Sequence, residues 1–389
     1  MGRQLSGISI RCGIGLLALA TCFGQTVVEN PKKPSNPDAG RSVELIERMR
    51  IRDDGQEVVF KYPYQLQIGD DGSVYFANGF EHFKYDAQGR FVYKIVKNGQ
   101  GPGEAQLATK ALLTRDRVLI QAWNPPKFMR FGPKGEYLGE DRTTATDLYE
   151  FVTLKDGKIY AFLEETPQWN DIPRPDYYEV PYSFCVLSLD LKEVGKPFQF
   201  PYRWYLGRGY GWQQARFDFA YKGLETIYVV HGIDYRIDVF NAGTNKVERT
   251  ITRKYDKVKR PPEPYERQPG YNGPPPLEYF YDINKVLVTG DRIWVITSTR
   301  NERQSRLVDV FDARGRYIDN FYLEFPAGFT PVGLMLGRIA LKDGFLYTVD
   351  EDAEGFFSIA KYEVLDPGKR AASSADPFSN STPPHTGSR

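Results

Sequence analysis

Three kinds of residue in this 389-residue sequence could do chemistry: scattered histidines, one acidic run and one glycine-rich turn. The histidines are His82, His231 and His385, whereas a zinc site needs a closer set of ligands. The acidic run Asp350–Glu354 lacks the spacing of an EF-hand calcium loop. The stretch Gly99–Glu104 contains no Gly-Lys-Ser/Thr, which favours a structural turn over a phosphate loop. We therefore expect no catalytic residue, no metal ligand and no cofactor, with calcium left open but unsupported.

The composition favours a chain made of strands and turns. Aromatic residues make up 14% of the sequence, with 26 Tyr and 25 Phe, and Gly (36) and Pro (27) are plentiful. Tyr and Phe favour strands, whereas Gly and Pro favour turns. The formal net charge of +1 gives no global electrostatic footprint for nucleic acid, so nucleic acid is not an expected partner.

A pattern of about fifty residues recurs along the chain: a β-rich run, a polar loop, a second run that ends in an aromatic residue, and a turn. The first runs of the six copies are Val74–Phe76, Val118–Ile120, Lys158–Phe162, Ile227–Val230, Ile293–Ile296 and Phe345–Asp350. Four-stranded units repeated radially are how a β-propeller protects its sheet edges. The sequence therefore predicts an all-β fold, a six-bladed propeller of four-stranded antiparallel blades. The last copy lacks a fourth strand, and we expect the run Val43–Ile51 to supply it and to close the ring.

The fourth copy resembles a known repeat. Its pattern, Ile227-Tyr228-Val229 followed by Tyr235-Arg236-Ile237-x-Val239-Phe240, resembles the NHL repeat. Gly99–Glu104 resembles the turn between blades of secreted bacterial members of this TolB-like group, although Ala105 stands where Phe is usual. The resemblance implies a six-bladed propeller and is nearly silent on activity, because one fold hosts many functions.

The two ends of the sequence indicate export and flexible flanks. Arg3 and Arg11 precede an apolar run from Cys12 to Phe23, as in a signal peptide of residues 1–24. Leu19–Cys22 resembles a lipobox with Cys22 as the lipidated residue, and ordinary cleavage after Gly24 is the alternative. We expect a flexible linker over 25–42, the propeller over 43–367 and a disordered tail over 368–389.

We predict a binding face formed by the loops between second and third strands together with the connections between blades. Interface hot spots are rich in Trp, Tyr and Arg, and no nucleophile–base pair is visible among these candidates. The predicted binding residues are Asn78, His82, Trp123, Asn124, Trp169, Arg203, Trp204, Arg208, Trp212, His231, Asp234, Arg236, Arg300 and Arg303. Trp204 and Trp212 are expected in a loop, where alanine substitutions of both would weaken binding without lowering the melting temperature.

The expected function is a non-enzymatic, extracytoplasmic scaffold for a protein, peptide or glycan. We expect it to be a monomer that meets a membrane only through a lipid on Cys22. The alternative is a metal-dependent propeller hydrolase or lyase of the lactonase-like kind. Metal analysis with a lactone and ester screen separates the two, since stoichiometric metal and chelator-sensitive activity would favour the enzyme.

Overall fold

In the computed structural model, small antiparallel sheets follow one another along the chain in a propeller-like arrangement. The structure describes residues 26–53, 58–114, 117–142, 148–153, 159–164, 176–187, 198–207, 210–213, 218–223, 225–230, 233–267, 275–326 and 337–365. Within these ranges, no helix is long and apolar enough to cross a membrane.

The strands of the first half form three sheets. Sheet 1 consists of β3 (Pro63–Ile68), β4 (Val74–Asn78), β5 (Glu81–Tyr85) and β6 (Phe91–Lys94). Sheet 2 consists of β7 (Leu107–Leu113), β8 (Val118–Asn124), β9 (Pro126–Phe131) and β10 (Tyr137–Arg142). Sheet 3 consists of β11 (Leu148–Thr153), β12 (Ile159–Glu164), β13 (Asp176–Leu187), β14 (Phe198–Gly207) and β15 (Tyr210–Gln213).

The strands of the second half form two larger sheets. Sheet 4 consists of β16 (Asp218–Lys222), β17 (Thr226–Val230), β18 (Arg236–Asn241) and β19 (Lys246–Arg253), with β1 (Thr26–Asn30) on its edge. A short 3₁₀ turn, Pro264–Arg267, follows it. Sheet 5 consists of β20 (Ile283–Thr289), β21 (Arg292–Arg300), β22 (Arg306–Asp312), β23 (Tyr317–Leu323), β2 (Arg41–Arg52), β26 (Phe357–Leu365), β25 (Phe345–Glu351) and β24 (Ile339–Lys342).

Strand β2 joins two four-stranded halves into the eight strands of sheet 5. Its residues Arg41–Val43 pair in parallel with β23, and Glu44–Arg52 pair antiparallel with β26. The predicted pairing of this run with the last strands is therefore observed. The same double pairing is why the described strands form five hydrogen-bonded sheets and not the six separate ones that we expected.

The segment expected to be a flexible linker is instead anchored along sheets 4 and 5. Strand β1 pairs in parallel with β19, and the backbone amides of Ser35 and Asn36 bond the carbonyls of Tyr317 and Ile318. The amide of buried Asn30 donates to the Gly315 carbonyl (2.9 Å) and accepts from the Tyr317 amide (2.8 Å). That prediction was wrong because the polar, Pro-rich composition does not reveal how many hydrogen-bond partners the sheet edges offer.

Aspartates and glycines build the turns that separate these strands. Asp86 accepts bonds from the backbone amides of Gln88 and Arg90 (3.0 and 2.9 Å), while Gly89 takes a φ of 79°. A positive φ of this size is strained for residues with a Cβ, so the turn requires glycine there.

Six buried apolar clusters hold the described sheets together, and each draws on two successive groups of strands. One cluster, for example, packs Tyr75 and Ile95 of the first group against Ile120 and Met129 of the second. Another packs residues of β25 and β26 against Phe76 of sheet 1, so the last strands contact the first sheet.

Candidate functional site

The connections between strands divide into two ends of the molecule. Because successive strands run in opposite directions, the turns between second and third strands fall at the same end as the connections from one group to the next. We call this the loop end. It receives the residues between β4 and β5, β8 and β9, β21 and β22, and β25 and β26, together with the connections that lead into β3, β7, β20 and β24.

Exposed apolar side chains gather at the loop end. Seven large exposed apolar residues of the described ranges lie there. Trp123 is near the end of β8, and the other six lie on turns and connections: Val59, Tyr62, Phe80, Tyr279, Phe280 and Phe356. We call these seven the aromatic rim. Phe80 is 55% exposed and Phe356 is 65% exposed, although burying a Phe is ordinarily favourable. Exposed apolar surface is a common feature of interaction sites, so this end is the candidate site.

The densest part of the rim lies where the last strands meet the first sheet. The ring centroids of Tyr62 and Phe357 are 6.3 Å apart. The Gly79 amide donates to the Tyr62 carbonyl, which places the neighbouring Phe80 beside Tyr62. Arg338 lies beneath, with its guanidinium carbon 4.4 Å from the Tyr62 ring centroid and 4.8 Å from that of Phe357. We call Val59, Tyr62, Phe80 and Phe356, together with Arg338 behind the Tyr62 ring, the Arg338 patch.

A polar cluster lies at the loop end of sheets 4 and 5. Lys257 bridges two carboxylates: its Nζ is 2.8 Å from Oδ1 of Asp234 and 3.7 Å from Oδ2 of Asp282. Burial raises the pKa of Asp282 to about 6, and the charge of Lys257 only partly offsets this. A carboxyl that titrates near neutrality can exchange protons, but one such group without a paired acid, base or nucleophile defines no reaction.

A cavity of about 1150 Å³ runs between the first strands of the groups, lined by β3, β16, β20 and β24 with two residues of β7. Its lysines are neutralised by aspartates: Lys285 bonds Asp218 (2.6 Å) and Lys342 bonds Asp70 (2.8 Å). Among the described residues, no group of three His, Cys, Asp or Glu could hold a metal ion. The charges that line the cavity are thus largely satisfied by one another.

Two predicted binding residues of the first copy are buried instead of exposed. The amide oxygen of Asn78 accepts from the backbone amides of Lys61 and Tyr62 (2.9 Å each), so it fixes the connection into β3. His82 lies within β5 and is 1% exposed. Neither ring nitrogen of His82 has a hydrogen-bond partner, and burial lowers its pKa to about 4. Both residues contribute to the core because the turn between β4 and β5 is tighter than the sequence suggested.

Several predicted residues do lie exposed at the loop end. Trp123 is 48% exposed, and the amide of Asn124 donates to Gln106 (2.8 Å). Asp234 pairs with Lys257, whereas Arg236 makes a two-point pair with buried Asp238 (3.0 and 3.1 Å). The exposed residues Arg300 and Arg303 flank the turn between β21 and β22.

The remaining predicted binding residues lie outside the described ranges or in sheet 3. Trp169, Arg208 and His231 lie outside the described residues. Arg203 and Trp204 belong to β14 and Trp212 to β15, which form a hairpin in which Trp204 pairs with Gln213. This stretch was expected to be a loop. It is a hairpin because aromatic residues, which favour strands, lie in both β14 and β15.

The sequence missed the Arg338 patch. Tyr62, Phe80 and Phe356 each lie beside Gly or Pro in no recurring motif, and Arg338 follows an apolar stretch that also lacks one. The sequence placed Phe80 and Phe356 in connections at one end of the sheets. That position is what could have indicated these two residues.

Comparisons with known proteins show the fold and no family. No family model matches the chain, and no curated protein matches it. The chain aligns with a solved structure from Bacteroides fragilis that is named as an exported protein. The TM-score is 0.53 at 11% identity, and the alignment covers 88% of this chain and 100% of that one. The Pan2 WD40 domain of Neurospora crassa aligns at 10% identity with a TM-score of 0.37, covering 77% and 74%. The first of these two likenesses is one of fold alone.

Proposed function

We propose that this chain is an extracytoplasmic binding scaffold that presents the aromatic rim to a protein or peptide partner. The observation that carries the proposal is the concentration of exposed aromatic side chains on loops at one end of a rigid set of sheets. Binding residues are commonly placed on loops that a scaffold holds in position. The rim also carries charged neighbours such as Arg300 and Arg303, and aromatic residues with arginines are enriched in interface hot spots.

Random peptides test this proposal, because they sample many partner sequences at once. A phage library of random dodecapeptides would be panned on the full chain and on the double variant Phe80→Ser/Phe356→Ser. Leu138→Ser is the matched control, because Leu138 is equally exposed but lies on β10. We expect selected peptides to lose binding to the double variant and to keep it with Leu138→Ser. If the selected peptides bind all three proteins equally, the aromatic rim is not the binding site. If the chain binds only members of a glycan array, its partner is a sugar and not a peptide.

The export of the chain belongs to the same proposal. Its support is the apolar run after Arg3 and Arg11 and the exported description of the Bacteroides fragilis structure. The intact mass of protein purified from a bacterial host should show a start at Cys22 or Gln25. A diacylglyceryl mass that disappears in Cys22→Ala would identify a lipoprotein, and a mass that still includes Met1 would contradict export.

We also propose that the sheets form one closed, six-bladed ring of the NHL-like kind, with β2 as the closing strand. Support comes from the antiparallel pairing of β2 with β26 and from the apolar cluster that joins β25 and β26 to sheet 1. Deleting residues 43–51 would leave the edge of β26 unpaired, and an open edge promotes aggregation. We expect no soluble, cooperatively folding protein from that deletion, whereas a deletion of 369–389 should melt like the full chain. An unchanged melting curve for the first deletion would contradict the closed ring.

A further inference from the structure

The Arg338 side chain is buried at the loop end with only part of its hydrogen-bonding capacity used. Arg338 is 5% exposed, and its Nε donates to the Pro63 carbonyl at 2.9 Å. The rings of Tyr62 and Phe357 cover the guanidinium. The Nη2 atom is buried and has no hydrogen-bond partner among the residues that the structure describes. A guanidinium has five N–H donors in a planar fork, so Arg338 retains capacity for a planar acceptor.

The charge of Arg338 has no carboxylate partner within the described part of the chain, where no salt bridge involves it. Burial lowers its pKa, and Glu351 offsets this only from a distance. Residues 327–336, which precede it directly, contain no Asp or Glu. Buried Lys127 is paired with Glu140 (2.9 Å), whereas buried Lys84 resembles Arg338, because it donates to the Pro133 carbonyl (3.0 Å) and lies over two aromatic rings. Arg338 differs from Lys84 in that its buried Nη2 finds no acceptor in the described chain. Since a buried charge is costly without a counter-charge, this free donor is suited to an external anionic group.

The surface over Arg338 defines the rest of the ligand. Phe80, Phe356 and Val59 present carbon only, which suits apolar peptide side chains better than sugar hydroxyls. The turn beside Phe356 carries Glu351, Asp352 and Glu354, so this side of the patch is acidic, whereas exposed Lys61 precedes Tyr62 on the other side. These carboxylates would repel polyanions such as nucleic acid and acidic glycans, and they would attract a basic residue.

We propose that the Arg338 patch binds a peptide segment with one carboxylate that pairs with Arg338, an adjacent apolar side chain, and a basic residue that faces Glu351 and Glu354. This inference rests on the proposed function and names its partner class. The apolar side chain packs against Phe80 and Phe356. The Tyr62 ring, which is 43% exposed, turns outward to admit the carboxylate. No described hydrogen bond holds the Tyr62 side chain in place, so this movement breaks only ring contacts.

The test compares acidic and amide peptides on two proteins. Peptides selected on the full chain are synthesised with the shared Asp or Glu and with Asn or Gln in its place, and their dissociation constants are measured by calorimetry on wild type and on Arg338→Gln. Because a hydrogen bond to a charged group contributes about tenfold or more to affinity, we expect the amide peptide to bind wild type about tenfold more weakly. Arg338→Gln should bind both peptides with the same, weaker affinity.

The outcomes separate this inference from the proposed function. If Arg338→Gln still prefers the acidic peptide by the same factor, or if selected peptides share no acidic residue, the inference fails. If binding is then still lost in Phe80→Ser/Phe356→Ser, the proposed function stands alone. A library that yields no binding peptide, or peptides indifferent to both variants, overturns both. Charge reversal at the acidic turn, Glu354→Lys, should weaken binding of peptides that carry the basic residue and leave Arg338-dependent discrimination intact.

Discussion

Arg253 and Arg338 are two buried arginines that both lie against aromatic rings, yet their surroundings differ in one respect. Arg253 lies between sheets 4 and 5, within about 5 Å of the Tyr235, Tyr255 and Tyr317 ring centroids, and its Nε is 3.0 Å from Oδ2 of Asp309. Arg338 has rings but no carboxylate in the described chain. One charge is neutralised inside the fold and the other is not.

The hydrogen bonds around Asp309 show how complete the first arrangement is. The hydroxyls of Tyr235 and Tyr317 each donate to the Asp309 carboxylate at 2.6 Å, and the amide of Asn320 donates to the Tyr317 hydroxyl. Both oxygens of that carboxylate accept hydrogen bonds, and Asp309 is fully buried and out of reach of a ligand. Arg253, with its carboxylate, therefore serves the fold, whereas we infer that Arg338, with an unsatisfied Nη2 and no carboxylate in the described chain, is suited to binding.

The largest expected effect comes from removing the counter-charge at the first site. Asp309→Ala leaves Arg253 without its carboxylate and two tyrosine hydroxyls without their acceptor. Breaking a buried ion pair from one side costs about 3–5 kcal/mol, so we expect a loss of this size in the free energy of unfolding by urea titration. The double variant Asp309→Ala/Arg253→Met should recover part of it. A loss below about 1 kcal/mol would contradict the contrast between the two arginines.

The sequence predicted most of what depends on local pattern and little of what depends on burial. Alternating β-rich runs and Asp-Gly turns predicted the strands, and the apolar run Val43–Ile51 predicted the partner of β26. The Arg338 patch escaped prediction because Arg338 and Pro63 are 275 residues apart, and only the fold brings them within hydrogen-bonding distance. His82 was misplaced for the same reason: a polar residue next to a turn gives no sign of being covered by the neighbouring sheet.

His82 is a second buried group without a hydrogen-bond partner in the described chain, and it makes the stability of the fold depend on pH. Burial lowers its pKa to about 4, from an ordinary value of about 6.5. Between these two pH values the unfolded chain binds a proton that the folded chain does not, so stability falls as the pH decreases. The full effect is about 3 kcal/mol of unfolding free energy.

The check is the difference between wild type and His82→Phe in urea titrations from pH 7 to pH 4. We expect wild type to lose stability more steeply on acidification than the variant, whose Phe does not titrate. Asp282, with a raised pKa, acts in the opposite direction in both proteins and cancels in the difference. Parallel stability curves for the two proteins would mean that His82 is protonated in the folded state.

The smallest expected effect is at the second arginine. Arg338→Met removes one hydrogen bond to the Pro63 carbonyl and two cation–π contacts, each of which contributes about 1 kcal/mol. It also removes the cost of burying a charge without a carboxylate, and Met keeps much of the apolar volume between Tyr62 and Phe357. These terms oppose one another, so we expect the free energy of unfolding to change by less than about 1 kcal/mol in either direction. Urea titrations of Arg338→Met and Asp309→Ala under the same conditions measure the two free energies of unfolding. A loss at Arg338 as large as that at Asp309 would mean that Arg338 stabilises the fold as Arg253 does, and the reason for assigning it an external carboxylate would disappear.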